Sequence, residues 1–150
     1  ARFVSDARHE TRHGKLKIVP ADSLGYFTEL DFGDPQWRGC AAGLASVGIR
    51  SDGRVTGCLS MDEELVEGDL RERDLWDIWL DEAAFPYSRH FSPAHLGPGC
   101  ASCALAEQCR GGCTSMSYGC TGRLHNDPFC LTSIRHRNPE AFARGTAAPP

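Results

Sequence analysis

Hydrophobic positions along this chain come in short, interrupted runs. Leu16, Ile18 and Val19 within Lys15–Val19 predict a strand stopped by Pro20, since proline has no N–H to donate to a ladder. It reads either as an edge strand of the same domain or, with the rest of residues 1–30, as the end of a larger α/β domain. Ahead of it, residues 1–14 are charged and predict an exposed helix end closed by Gly14. From Ser46 to Cys58 the pattern predicts a hairpin around Asp52-Gly53, a pair favoured in two-residue type I′ loops. That loop would set Ser51 opposite Arg54, Ile49 opposite Thr56 and Val47 opposite Cys58. Cys58 then stands at the open end of the hairpin, where Cys40 also enters. Asp74 is placed to cap a helix over Leu75–Phe85, with Leu75, Ile78 and Trp79 as its apolar stripe and Pro86 as its stop. Trp76 lies off that stripe and reads as a surface aromatic. Between residues 100 and 130 there is little periodicity, so order there is expected to come from ligation. The last residues, from about 145, read as a disordered tail.

The chain has 150 residues, 41 % hydrophobic and 24 % charged, which is the balance of one folded unit. Its 16 glycines and 9 prolines, with a mean hydropathy of -0.36, imply a modest core that needs a staple besides burial. A net charge of -4 and the lack of a basic run argue against nucleic acid as a partner. No apolar stretch approaches the roughly 18 residues a membrane helix requires, and no signal-peptide pattern is present at the start, so no membrane partner and a cytoplasmic location are expected. In that setting the eight cysteines, all between Cys40 and Cys130, point to metal or cluster ligation before disulfides.

Their spacing is Cys40-x12-Gly53-x4-Cys58, then Cys100-x2-Cys103-x5-Cys109-x3-Cys113, with Cys130 after sixteen intervening residues and Cys120 inside that gap. A C-x2-C pair presents two thiolates from one tight turn, and Gly111-Gly112 lets the backbone bend closely before Cys113. Soft thiolates select zinc or iron-sulfur centres. A zinc ribbon would add a second C-x2-C or a histidine pair, and the chain has neither. The six histidines, His9, His13, His90, His95, His125 and His136, share no spacing and read as surface residues. Arg110 reads either as a partner of cluster charge or as a solvated side chain. No nucleophile triad or carboxylate pair stands out.

The cysteine spacing, with Gly39-Cys40-Ala41-Ala42-Gly43, Glu67-Gly68-Asp69-Leu70, Asp77-Ile78-Trp79, Cys109-Arg110-Gly111-Gly112-Cys113 and Asn126-Asp127-Pro128-Phe129-Cys130, resembles the SPASM domain at the C-terminus of radical S-adenosylmethionine enzymes that modify peptides. The resemblance implies an α+β fold with a β-hairpin and short helices, stapled by clusters, over residues 37–134. Residues 1–36 would be the end of a partial α/β barrel or a linker, and 135–150 a C-terminal helix and tail. It further implies two [4Fe-4S] clusters, one on Cys40, Cys58 and Cys113 and the other on Cys100, Cys103, Cys109 and Cys130. Interleaving of this kind has a precedent in two-cluster ferredoxins. The first set is one thiolate short, so its fourth position is open or is filled by Cys120 or Asp34. Cys120 itself reads as a buried thiol. A radical enzyme also needs a C-x3-C-x2-C motif, which this sequence lacks. The expectation is therefore an accessory part of such an enzyme, working with a separate S-adenosylmethionine core domain and a peptide or protein substrate. The rivals are a free-standing peptide-binding module and a zinc or other structural cysteine-rich domain without a redox role.

Overall fold

In the computed structural model, residues 37–140 are described together with Ala7, Glu10 and Thr11 upstream. Those three are helical, and the Thr11 hydroxyl donates to the Ala7 carbonyl at 2.8 Å. The expected strand Lys15–Val19 and Asp34 lie outside the described residues. The chain divides into two units, Arg38–Asp127 and a second made of Ala1–Trp37 with Pro128–Pro150.

The first unit is built on a three-stranded antiparallel sheet in the order β1 (Gly48–Ile49), β2 (Arg54–Thr56), β3 (Gly68–Asp69). The hairpin forms where alternation predicts it, in a register one residue away from the expected one. Gly48 faces Thr56 and Ile49 faces Val55. A type I′ pair needs positive φ at both loop residues, and here only Gly53 has it, at φ 89°. The Asp52 carboxylate instead accepts the Arg54 N–H at 3.1 Å and Arg54 Nε at 2.6 Å. The loop is thus Ser51–Gly53, closed by Gly53 N–H to the Arg50 carbonyl and Arg50 N–H to the Arg54 carbonyl. This register buries Val55 completely and leaves Ile49 exposed.

Helix α1 spans Leu75–Leu80, with the Asp74 carboxylate accepting the Trp76 N–H at 2.8 Å. It ends five residues before the predicted stop at Phe85. Asp81 is the reason: its side chain accepts the Ala83 N–H and its carbonyl the Ala84 N–H, which closes a turn in place of another helical one. Phe85, kept out of the helical region by the proline after it, takes φ 58°, and Pro86 opens α2 (Pro86–Arg89) rather than closing α1. Trp76 is exposed, as expected for a residue off the stripe. Ile78 and Phe85 join Val55, Met61, Leu65 and Tyr87 in the core, with Cys40 and Cys58 packed against its edge.

Arg89 binds this core from outside. Its guanidinium donates to the carbonyls of Gly43 (2.9 Å) and Asp81 (3.0 Å) and lies over the rings of Trp79 and Phe85, at 4.9 and 4.6 Å.

The region from 100 to 130 holds more regular structure than its pattern suggests, with α3 (Ala106–Cys109) and α4 (Thr114–Thr121). In α4 the buried positions are Thr114 and Ser117, so the inward face is polar and gives no apolar period to read. In the second unit, α5 (Leu131–Arg137) starts directly after Cys130, and Arg137 donates to the Pro128 carbonyl at 2.9 Å.

Candidate metal centre

All eight cysteines are thiols. Cys100 is buried, Cys120 exposed, and the other six half-buried. Three segments of the first unit pack together around Tyr87. A Cβ on Gly57, the residue before Cys58, would lie 2.6 Å from Tyr87 Oη and 2.9 Å from Ala42 Cβ, so the Cys58 turn lies directly against the Cys40 segment. A Cβ on Gly39, before Cys40, would meet Arg110 Cβ at 3.0 Å, which brings Cys40 to the Arg110–Cys113 loop. The Ser115 hydroxyl, in the first turn of α4 after Cys113, donates to the Ser60 carbonyl, two residues after Cys58. Cys40, Tyr87, Arg110, Thr114 and His125 line one small cavity.

Tyr87 sits at the centre of this arrangement. Burial, the Glu67 carboxylate and the Cys40 and Cys58 thiols hold its hydroxyl well above its ordinary pKa, so it stays protonated. Glu67 is itself raised, chiefly by burial.

Cys100, Cys103 and Cys109 follow one another along a turn and α3. The Cys103 N–H bonds to the Cys100 carbonyl, the Cys109 N–H to the Leu105 carbonyl, and the Cys103 sulfur accepts the Leu105 N–H at 3.4 Å. Amide donors to sulfur of this type tune iron-sulfur potentials. The Cys100 loop is tied to residues 125–126 by Gly97 N–H to the His125 carbonyl (3.0 Å) and Gly99 N–H to Asn126 Oδ1 (2.9 Å). Those residues are in turn tied to the Arg110-Gly111 turn by Asp127 N–H to the Gly111 carbonyl (3.1 Å), and a Cβ on Gly111 would fall 2.3 Å from His125 Cα. Cys130 is the N-cap of α5 in the second unit.

Two sequence expectations fail here. Cys120 is not buried: it lies on the exposed side of α4, seven residues or about 10 Å of helix rise beyond Cys113. His125 is not a surface residue, being only 6 % exposed at φ 55°. Its burial lowers the pKa of the ring. Arg110 is half-buried with its guanidinium 5.6 Å from the Phe91 ring, so it is not simply solvated. His125 was missed because a lone histidine has no spacing to betray it. A signal for the cysteine turns was present, since Gly39, Gly57, Gly99 and Gly112 each directly precede a candidate ligand cysteine.

The donor set suits an iron-sulfur group: thiols on tight turns, with glycines leaving room where a Cβ would collide. Among the described residues, no three His, Cys, Asp or Glu side chains have the spacing of a single-ion site. The family model of the SPASM iron-sulfur cluster-binding domain matches residues 40–114. The chain belongs to the SPASM family. No curated protein matches it. SPASM membership carries iron-sulfur cluster binding with it, and in this SPASM domain the matched stretch contains Cys40, Cys58, Cys100, Cys103, Cys109 and Cys113. Bound iron-sulfur groups supply electron transfer and, where an iron lacks a thiolate, a Lewis-acidic position. The residues of the chain hold the thiols in place, keep Tyr87 protonated beside Cys40 and Cys58, and donate amides to sulfur. No helix among the described residues is long and apolar enough to cross a membrane.

Proposed function

We propose that the chain carries two [4Fe-4S] clusters, on Cys40, Cys58 and Cys113 and on Cys100, Cys103, Cys109 and Cys130, and serves a radical S-adenosylmethionine core domain in the cytoplasm by positioning a peptide or protein substrate and relaying electrons. The observation that carries this reading is the packing of the Cys40, Cys58 and Cys113 segments around Tyr87, apart in sequence yet in direct contact, beside a second run whose three thiols share one turn and helix. A single structural ion takes about four ligands, whereas three thiols on three packed segments and three more along one turn and helix suit two clusters. Cys130 completes the second set in this reading. The chain is accessory to catalysis, because its sequence lacks the C-x3-C-x2-C motif that binds the radical-generating cluster.

Anaerobic reconstitution of the chain is the test. Brown protein with about eight irons and eight labile sulfides supports two cubanes. Colourless protein with stoichiometric zinc overturns the reading in favour of a structural zinc domain. With S-adenosylmethionine and dithionite the reconstituted chain forms no 5′-deoxyadenosine above a protein-free control; sustained formation would overturn the accessory role.

A further inference from the structure

Three thiols leave one iron of the first cluster without a protein ligand from the expected set. Cys120 is exposed and two helical turns beyond Cys113. The cavity beside Cys40 offers another donor. His125 lines it together with Cys40, Arg110 and Thr114.

The imidazole is held with one nitrogen committed. Nδ1 lies 2.8 Å from the Arg110 carbonyl oxygen. A carbonyl can only accept, so Nδ1 carries the proton and Nε2 keeps its lone pair. Nε2 makes no hydrogen bond among the described residues, and it is not among their sealed, unpartnered polar atoms. A histidine that ligates a metal through one nitrogen characteristically donates the other N–H to a carboxylate or a backbone carbonyl, which fixes both tautomer and ring plane.

The ring cannot swing freely. It packs 5.0 Å from Phe91 and 6.2 Å from His95, nearly parallel to the latter. His95 is occupied elsewhere, its Nδ1 accepting the Ser92 N–H at 3.2 Å. The backbone of His125 is in the left-handed region, a conformation that costs free energy and persists only where the surroundings impose it. Here they do: Gly97 N–H holds the His125 carbonyl, and Gly111 lies against its Cα with no room for a side chain. An ordinary buried histidine needs its ring nitrogens satisfied, and this one is oriented by the Arg110 carbonyl, lines the cavity beside Cys40, and has no hydrogen-bond partner for Nε2 among the described residues.

We propose that His125 supplies the fourth protein ligand, through Nε2, to the cluster held by Cys40, Cys58 and Cys113. The assignment rests on the two-cluster reading above. Imidazole is neutral where thiolate is anionic, so the cluster would carry one less negative charge than a four-thiolate site, and its potential would lie higher.

The test uses the anaerobically reconstituted full chain, reduced with dithionite and grown with 15N-labelled histidine. Pulsed electron paramagnetic resonance of the wild type should show a histidine nitrogen hyperfine coupling that persists in His95→Ala. His125→Cys should retain iron, lose the coupling and lower the midpoint potential of one cluster. His125→Asn, whose side chain tolerates positive φ, should also lose the coupling and covers the case in which the cysteine variant misfolds. Cys40→Ala should remove about half the iron. If Cys40→Ala halves the iron but no histidine coupling exists in the wild type, the ligand assignment falls while the cluster reading stands. If Cys40→Ala retains all the iron, both fall together.

Discussion

Tyr87 Oη accepts the backbone N–H of Gly57 at 3.0 Å, a buried bond across thirty residues of chain. It joins the first residue after Pro86 in α2 to the residue before Cys58, so the core aromatic and the candidate ligand turn are one mechanical unit. After burial, the nearby Glu67 carboxylate is the main influence that raises the pKa of this hydroxyl.

Tyr87→Phe removes the acceptor and leaves a buried amide unsatisfied, a loss of about 1–3 kcal/mol. Equilibrium urea denaturation should show this as a lower midpoint with unchanged slope. The reconstituted variant should lose iron faster to a chelator than the wild type, since the Cys58 turn has lost its anchor. An unchanged midpoint would mean that water replaces the hydroxyl without penalty.

Gly111→Ala should be far more damaging. The residue has φ 81°, and a Cβ would sit 2.3 Å from both the carbonyl carbon and the Cα of His125, backbone atoms that cannot move aside. We expect a loss of about 3 kcal/mol or more, read by thermal melting, with both candidate ligand sets loosened because Gly111 links the Cys109–Cys113 turn to residues 125–127. A variant that melts within a few degrees of the wild type would show that the two turns separate readily.

Glu67 gives a pH dependence whose sign can be worked out. Burial raises its folded pKa above the ordinary 4.5, so the folded chain binds the proton more tightly than the unfolded chain. Its contribution to stability is fully present below the unfolded value and is lost as pH rises through the folded one. Glu67→Gln has no such loss, so its stability relative to wild type should increase from pH 4 upward and then level off. Half-exposure keeps the gain small. Denaturation midpoints of both proteins across that range decide it; a difference that is flat or shrinks with rising pH would contradict the burial argument.

Cys120→Ala should leave iron content, cluster spectra and melting temperature at their wild-type values. The side chain is exposed on α4, where an alanine is a good helix former. Loss of about half the iron would make Cys120 a ligand and would require α4 to unwind.

Arg89→Lys tests the outer brace of the core. A lysine keeps the charge but cannot reach the Gly43 and Asp81 carbonyls with a planar fork while lying over Trp79 and Phe85. A loss of about 1–2 kcal/mol in urea is expected. No change would mean that the brace is redundant with the packing beneath it.

Sequence alone determined the local features whose cause is local. Alternation around Asp52-Gly53 specified a hairpin, Asp74 specified a helix start, and the spacing of the cysteines specified an iron-sulfur domain of the SPASM kind, because each depends on a few neighbouring residues. The folded structure decided what the sequence left open, either between rival local solutions or through partners far apart in the chain. The hairpin register turned on whether Asp52 would adopt positive φ or bind Arg54, and the register seen is the one that buries Val55. The end of α1 turned on Asp81 as a rival acceptor of backbone N–H groups, which let Pro86 begin a helix instead of ending one. The α4 helix was hidden because its inward side chains, Thr114 and Ser117, are polar; the Ser117 hydroxyl donates to the Gly111 carbonyl and accepts the Asn126 N–H, partners that no periodicity reveals. His125 is the sharpest case. A single imidazole looks the same in sequence whether it faces water or a cavity, and only the folding of the Gly97 and Gly111 turns onto it encloses the ring beside Cys40.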